Sequence, residues 1–163
     1  MAVREIRLFG DPILKSATQR VTDFSKVADL VQDLRDTTAL PGRAGVAATQ
    51  IGVGLSVFAY NIQGNIGYLI NPQITWRGGE VEMMEEGCLS VPGLWHKTPR
   101  NTKVRAKGNL LDGSEIEIEG EGLLAQALQH ETDHLDGILY LDRLLPEQRK
   151  EAFRELRQQS WFI

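Results

Sequence analysis

Apolar residues late in the chain recur at the spacing of one helix face. They stand three, four or seven positions apart, at Leu123, Leu124, Ala127, Leu128 and Leu135. Because an α-helix turns about 100° per residue, this face also carries His130, Glu131 and His134. The pattern predicts a helix that directs two imidazoles and a carboxylate towards the core. The polar side of this helix is predicted to hold Gln129, Thr132, Asp133 and Asp136.

Two further helices and six strands are predicted from the rest of the pattern. Residues 24–38 indicate an amphipathic helix with Ser25 as candidate N-cap, and residues 147–159 indicate a charged helix. The apolar stripe of the first of these helices is Val27, Leu30, Val31 and Leu34. Strands are predicted at residues 55–60, 68–71, 74–76, 80–84, 103–111 and 114–119.

Glycine-containing turns separate consecutive strands, which is typical of β-hairpins. These turns are Gly64-Asn65, Gly78-Gly79 and Asp112-Gly113. Helices do not alternate with strands, so a parallel sheet is not indicated. The predicted fold is α+β, with antiparallel β-sheets packed around the central helix of residues 123–135 and with N-terminal and C-terminal helices. A single domain that spans residues 1–163 is predicted to contain all of these helices and strands.

Composition excludes several classes of protein. With 42% hydrophobic and 25% charged residues, the chain has the make-up of a folded domain rather than of a disordered one. No apolar run is long enough to span a bilayer, and the first ten residues lack the apolar core of a signal peptide. A net charge of -4 gives no general attraction to nucleic acid or anionic membranes. The single cysteine allows no intrachain disulfide, so a cytoplasmic location is expected.

Residues 130–134 read His-Glu-Thr-Asp-His, the H-E-x-x-H pattern. His130 and His134 lie one helical turn apart and can hold one divalent metal, while Glu131 can reach a water at that metal. The arrangement offers a Lewis acid, an activated water and a carboxylate base. The helix is therefore interpreted as metal-binding.

Cys88 allows three interpretations: a small buried residue, a nucleophile or a thiolate ligand. Two histidines and one cysteine leave a fourth position open, as in catalytic metal sites. A nucleophilic cysteine would give no reason for a glutamate to follow the histidine. From the ligands alone, zinc is the expected ion.

Three motifs occur in order: Gly45-Val46-Ala47-Ala48-Thr49-Gln50, Glu86-Gly87-Cys88-Leu89-Ser90, and residues 129–135, Gln-His-Glu-Thr-Asp-His-Leu. Together they resemble the signatures of the peptide deformylase family over nearly the whole chain. The resemblance implies hydrolytic removal of the formyl group from N-formylmethionine at the start of new polypeptides. It also implies Fe(II) as the native metal, with Zn, Ni or Co possible in purified protein.

The resemblance also assigns roles to residues. It makes Cys88, His130 and His134 the metal ligands and Glu131 the general base and acid. Gln50 and the backbone N–H of Leu89 would bind the formyl oxygen. Ala44, Gly45 and Gly87 would offer backbone groups to a peptide that lies like an added strand.

The clearest departure from the family pattern is Arg43, which stands where the first glycine of the first motif is expected. We expect its side chain to point to solvent. His96 is expected to be exposed rather than a ligand, and Arg100 is expected to pair with Glu86 beside the Cys88 segment. The apolar tail Trp161-Phe162-Ile163 would pack on the body or on another copy.

Two alternatives stay open. One is another H-E-x-x-H peptidase, against which the Cys88 motif argues, because such enzymes usually take histidine or glutamate as third ligand. The other is a catalytically weak, deformylase-like binder of formylated peptides, supported by Arg43 alone. The expected partners are N-formylmethionyl nascent chains and, transiently, the ribosome, without membrane or sequence-specific nucleic-acid binding.

Overall fold

The structure, a computed structural model, describes residues 2–162 and contains three α-helices and a five-stranded sheet. The helices are α1 (Ala28–Thr38), α2 (Gly122–Leu135) and α3 (Pro146–Arg157). The strands are β1 (Gly45–Ala47), β2 (Val57–Ile62), β3 (Asn65–Cys88), β4 (Val91–Asn109) and β5 (Glu115–Glu121). Short 3-10 helices span Pro12–Lys15, Phe24–Lys26, Ala48–Ile51 and Tyr140–Arg143.

Every pair of neighbouring strands is antiparallel, and the strands follow one another across the sheet in chain order. The predicted α+β class with antiparallel pairing and three helices is confirmed. The strands form one continuous sheet, where several sheets were expected. Within the described residues, no helix is long and apolar enough to cross a membrane.

Side chains along β1 and β2 alternate between the two faces of the sheet. One face packs against α1 and the other against α2. Val57 and Ala59 join the apolar cluster that includes Val31 and Leu34 of α1. Phe58, between them in sequence, joins the opposite cluster, which contains Leu128 of α2. Helix α2 contacts all five strands of the sheet. This packing buries the helix face that carries His130, Glu131 and His134.

The hairpin predicted at Gly78-Gly79 is wrong. Strand β3 runs through both glycines, and the pairing with β4 shifts register between Gly78 and Val81, as in a β-bulge. A β-carbon on Gly78 would collide with the indole of Trp76, and Gly79 has a φ of +66°. The two glycines thus accommodate a bulge and a close aromatic contact rather than a chain reversal.

The two other predicted hairpins are present, one of them shifted. The β2–β3 turn uses Gln63 and Gly64, both with positive φ, rather than Gly64-Asn65. The β4–β5 turn lies at Asp112-Gly113, as predicted. There Asp112 Oδ1 accepts a hydrogen bond from Ser114 N at 2.9 Å.

Helix α1 begins later than predicted. Residues 24–26 form a 3-10 turn capped by Asp23, whose carboxylate accepts a hydrogen bond from Ser25 N at 3.0 Å. Ser25 is therefore the capped residue, not the cap, because the aspartate two positions earlier closes the turn first. The predicted apolar stripe faces the core, with Val27, Val31 and Leu34 buried.

The C-terminal helix and the tail after it pack on the body. Helix α3 buries Ala152 and Leu156. Trp161 Nε1 donates to Pro92 O at 3.0 Å, and the ring of Phe162 lies 6.0 Å from that of Phe9. The last residue of the predicted apolar tail, Ile163, lies outside the described residues.

Candidate active site

The turn between β3 and β4 presents Cys88 to the buried face of α2. Cys88 ends β3 and pairs with Val91 across the turn. His130 and His134 lie on α2, one turn apart, and all three side chains are almost fully buried. Helical spacing sets the two imidazoles, and the long β3–β4 hairpin adds the thiol from the opposite side.

These three side chains form a cluster with the dimensions of a metal site. Cys88 Sγ lies 3.3 Å from His134 Nε2, which lies 3.2 Å from His130 Nε2. All three atoms fall within 4.8 Å of one another. Metal bonds of about 2.0–2.3 Å to nitrogen and sulfur give tetrahedral edges of about 3.3–3.6 Å. The cluster therefore fits a single divalent ion with a fourth position open towards the cavity.

A buried charge network holds His130 in place. His130 Nδ1 donates to Glu86 Oε2 at 2.7 Å, which leaves Nε2 free to face the cluster. Arg100 donates to both oxygens of Glu86, at 2.9 and 2.6 Å, so the predicted ion pair is present. Burial alone would raise the pKa of Glu86, but the Arg100 guanidinium and His130 lower it to about 2. Glu86 is thus a fixed negative charge behind the histidine.

Asp133 is a member of this network that the sequence pattern missed. Arg100 Nη1 donates to Asp133 Oδ2 at 2.7 Å, and Arg143 Nη2 donates to its other oxygen at 2.9 Å. Asp133 is buried, as is Gln129, whose amide pairs with the backbone of Asn101. Gln129 and Asp133 of the predicted polar side therefore face β4, whereas Asp136 is exposed.

Glu131 lies in a tight, dry position beside β1. A β-carbon on Gly45 would stand 2.6 Å from Glu131 Oε2, so only glycine leaves room for the carboxylate. Glu131 Oε1 is buried without a hydrogen-bond partner among residues 2–162. Burial is the main cause that raises the pKa of Glu131 to about 7. A carboxyl group with this pKa can both accept and donate a proton near neutral pH.

The electrostatics of the histidine pair favour a cation. Burial alone would lower the pKa of His130, but the charge of Glu131 and hydrogen bonds with Cys88 and Glu86 raise it well above its ordinary value. Burial, followed by the charge of His130, lowers the pKa of His134 well below the usual range. The acidic groups around the cluster thus favour a cation there. His134 is neutral, as a histidine must be to bind a metal ion.

Gln50 reaches the cluster from the 3-10 helix after β1. Its Oε1 accepts a hydrogen bond from Ala47 N at 3.0 Å, which turns Nε2 towards the turn at Cys88. Nε2 donates to Ser90 Oγ at 3.1 Å and lies 3.6 Å from Cys88 Sγ. A neutral donor is therefore fixed beside the thiol. Ser90, which orients it, was not singled out from the sequence.

A cavity of about 700 Å³ opens in front of the cluster. It is lined by eight of the nine predicted site residues: Ala44, Gly45, Gln50, Gly87, Cys88, Leu89, His130 and Glu131. The ninth, His134, lies behind them and is 1% exposed. Gly87 also needs to lack a side chain, because a β-carbon there would stand 2.7 Å from the Trp95 ring. Trp95 forms part of the cavity wall and was not predicted to do so.

Two expectations about neighbouring residues are wrong. Arg43 does not simply point to solvent: its Nη1 donates to Thr37 O at 3.0 Å, at the C-terminal end of α1, and it lines the cavity. Carbonyl groups at a helix C-terminus attract a cation, which explains the docking. The His96 side chain is 9% exposed and lies within hydrogen-bond distance of Tyr140 and Glu155. As predicted, it is not part of the candidate ligand cluster.

Comparison with known proteins gives a consistent result. A family model described as polypeptide deformylase matches residues 3–150. The chain is 48% identical over 166 residues to the peptide deformylase of Acidothermus cellulolyticus, covering 99% of this chain and 89% of the relative. It is similar to the crystal structure of a peptide deformylase from Legionella pneumophila, with 40% identity, a TM-score of 0.88 and coverage of 96% and 95% of the two chains. The crystal structure of the Thermus thermophilus peptide deformylase gives 38% identity, a TM-score of 0.89 and coverage of 96% and 94%.

Proposed function

This chain belongs to the peptide deformylase family, and we propose how its own residues carry out the family's reaction. The protein is a metal-dependent hydrolase that removes the formyl group from formylmethionine at the N-terminus of newly made polypeptides and releases formate. The observation that carries the residue assignment is the close grouping of Cys88 Sγ, His130 Nε2 and His134 Nε2 beside the buried Glu131 carboxylate.

Cys88, His130 and His134 would hold the metal, which would make α2 the central metal-binding helix of one catalytic domain over residues 1–163. When bound there, a divalent ion would supply Lewis-acid chemistry and lower the pKa of water. We infer Fe(II) as the native ion from the family resemblance, with Zn, Ni or Co in its place in purified protein. Glu86 fixes the ring of His130, so that Nε2 is the atom presented to the ion.

Glu131 moves the proton. Its carboxylate accepts a proton from the attacking water and then gives it to the departing amine nitrogen. Its pKa of about 7, set mainly by burial, suits both transfers. Its Oε2 lies 3.9 Å from His130 Nε2, beside the cluster, and its Oε1 has no hydrogen-bond partner among residues 2–162. The Gly45 backbone packs directly against this carboxylate.

Gln50 and the Leu89 backbone stabilise the oxygen that becomes negative during attack. Gln50 Nε2 is held by its neighbours at the edge of the cluster, and Leu89 lines the same cavity. A side-chain amide and a backbone N–H are uncharged donors that need little rearrangement, and losing one such donor typically costs about 10²–10³ in rate.

The peptide lies against the open edge of β1. Among residues 2–162, strand β1 pairs with β2 alone and ends the sheet, so its other edge is available to an extended chain. Ala44 and Gly45 offer backbone groups on this side of the cavity, and Gly87 offers them from the opposite wall. The substrates are formylmethionyl nascent chains, so the protein works in the cytoplasm and meets the ribosome transiently, without membrane or sequence-specific nucleic-acid binding.

The family assignment favours this function over the two alternatives considered above. An endopeptidase would need no cysteine ligand, and a mere binder would need no buried carboxylate with a pKa near 7. The direct test is formate release from a formyl-Met-Ala-Ser peptide by protein prepared anaerobically with Fe(II). We expect Cys88→Ser to lose both metal and turnover. Full turnover in Cys88→Ser, or cleavage of the Met-Ala bond by the wild type, would contradict the proposal.

A further inference from the structure

Arg43 carries a positive charge into the wall of the active-site cavity. The charged side chains that line this cavity are Arg43, Glu85, Glu86, His130 and Glu131. No other lysine or arginine lines it in the part of the chain that the structure describes. The chain as a whole has a net charge of -4. A negatively charged substrate group therefore finds one attractive position in this cavity.

The guanidinium is anchored at one end only. Arg43 Nη1 donates to Thr37 O at 3.0 Å, and the side chain is half-buried. Within residues 2–162, its other N–H groups make no hydrogen bond and its charge has no carboxylate partner. An arginine has five N–H donors, so an anchored guanidinium keeps a free edge that suits a carboxylate. Anchoring also lowers the entropy lost on binding.

Arg43 lies two residues before the edge strand β1 begins, and this position selects a residue of the substrate. Gly45, two positions later, lies beside Glu131, where the formyl group is hydrolysed. Two residues of extended chain span about 6.6 Å. A peptide that leaves the reaction centre antiparallel to β1, with its formylated residue opposite Gly45, brings its third residue opposite Arg43. Asn61, which lines the same end of the cavity, donates its backbone N–H to Ala44 O at 2.8 Å and so keeps this segment in line with β1.

We propose that Arg43 is a specificity residue that favours formylated peptides with a carboxylate at the third residue. This rests on the deformylase function proposed above and adds to it a preference among substrates. In a nascent chain the carboxylate is an aspartate or glutamate side chain. In a short peptide, a C-terminal carboxylate at the third residue would offer the same chemistry.

The test compares three peptide amides that differ only at the third residue: formyl-Met-Ala-Glu, formyl-Met-Ala-Gln and formyl-Met-Ala-Lys. An exposed to half-buried ion pair corresponds to about a two- to fivefold gain in kcat/KM for Glu over Gln. We expect Lys to be the poorest substrate and the preference to shrink as salt screens the charges. Formyl-Met-Ala-Gln with a free C-terminus separates a terminal carboxylate from a side-chain carboxylate.

The matched variants are Arg43→Gln, which keeps a donor for Thr37 O, and Arg43→Lys, which keeps the charge. We expect the Glu-to-Gln ratio to fall to about one in Arg43→Gln and to survive in part in Arg43→Lys. Arg77→Gln removes an exposed charge outside the cavity and should leave the ratio unchanged. Dissociation constants of the same peptides for metal-loaded Glu131→Gln protein, with and without Arg43→Gln, report the preference without turnover.

A wild-type ratio near one, or a preference that persists in Arg43→Gln, would overturn the inference. Loss of the preference in Arg77→Gln as well would show a general charge effect and would also overturn it. Failure of the proposed function has a different signature: none of the peptides, including the neutral one, would then release formate.

Discussion

Gly45 and Glu131 are fitted to each other, because a β-carbon at Gly45 would stand 2.6 Å from Glu131 Oε2 and 2.8 Å from its carboxyl carbon. The glycine comes from the first sequence motif and the glutamate from the third, and the fold brings them into contact. The Glu131 carboxylate, the proposed acid–base group, is thus accommodated by the lack of a side chain at Gly45 on the edge strand.

Substitution of Gly45 should therefore disturb catalysis more than folding. Gly45→Ala would push the Glu131 carboxylate aside, and a misplacement of about 1 Å can cost about 10²-fold in rate. We expect kcat for formyl-Met-Ala-Ser to fall by that order with metal content unchanged. Gly54→Ala is the control, since a β-carbon there meets nothing within 4 Å. Normal kcat in Gly45→Ala would mean that Glu131 tolerates displacement.

Arg100 should matter for both stability and metal affinity. Arg100→Met would leave Glu86 and Asp133 as buried carboxylates without their main partner, which typically costs about 3–5 kcal/mol. Metal affinity should fall about 10- to 100-fold because His130 loses its orientation through Glu86. Denaturant unfolding and metal titration measure the two effects. Arg154→Met, which breaks only an exposed pair with Glu151, should cost about 0–1 kcal/mol; equal losses in the two variants would refute this account.

Gln50 should contribute to turnover without contributing to metal binding. Gln50→Ala removes the Nε2 donor, and we expect kcat to fall about 10²–10³-fold while metal stoichiometry stays the same. Gln73→Ala, at an exposed position on β3, serves as the folding control. If Gln50→Ala lost metal in proportion to activity, the amide would be supporting Cys88 rather than the oxygen of the substrate.

Removal of the metal should destabilise the fold. An ion present at about 100 times its dissociation constant adds about 2.7 kcal/mol to the free energy of unfolding. We expect a chelator to lower Tm for the wild type, and addition of Fe(II) or Ni(II) under anaerobic conditions to restore it. Cys88→Ser should show a smaller change on chelation. Identical chelator sensitivity in both proteins would argue against Cys88 as a ligand.

The sequence predicted which residues come together at the candidate site better than it predicted the contacts around them. The reasons are physical. Helical spacing alone places His130 and His134 together, and short motifs keep Cys88 and Gln50 in local turns. Asp133 was placed on the polar side of α2 and given no role, because periodicity cannot show that this side is also partly covered. Only the tertiary contact with Arg100, more than thirty positions away, explains its burial.

Glycine and arginine were misread for a related reason. Gly78-Gly79 has the composition of a turn, but the indole of Trp76 and the register of β4 determine its bulge. Arg43 was expected in solvent because its sequence does not show that the turn after α1 brings its side chain back to Thr37 O, six positions earlier. Residue type specifies conformational freedom and charge, whereas contacts formed in the folded chain decide how each is used.

The most direct test of the account is the rate of formate release by Glu131→Gln beside the wild type, both prepared anaerobically and loaded to one Fe(II) or Ni(II) per chain. A positioned acid–base group contributes about 10²–10⁴-fold to rate, and we expect a loss of at least that order with metal content unchanged. Wild-type turnover in the variant, or no formate from fully metallated wild-type protein, would contradict the central claim that Glu131 moves the proton at a Cys88–His130–His134 metal site.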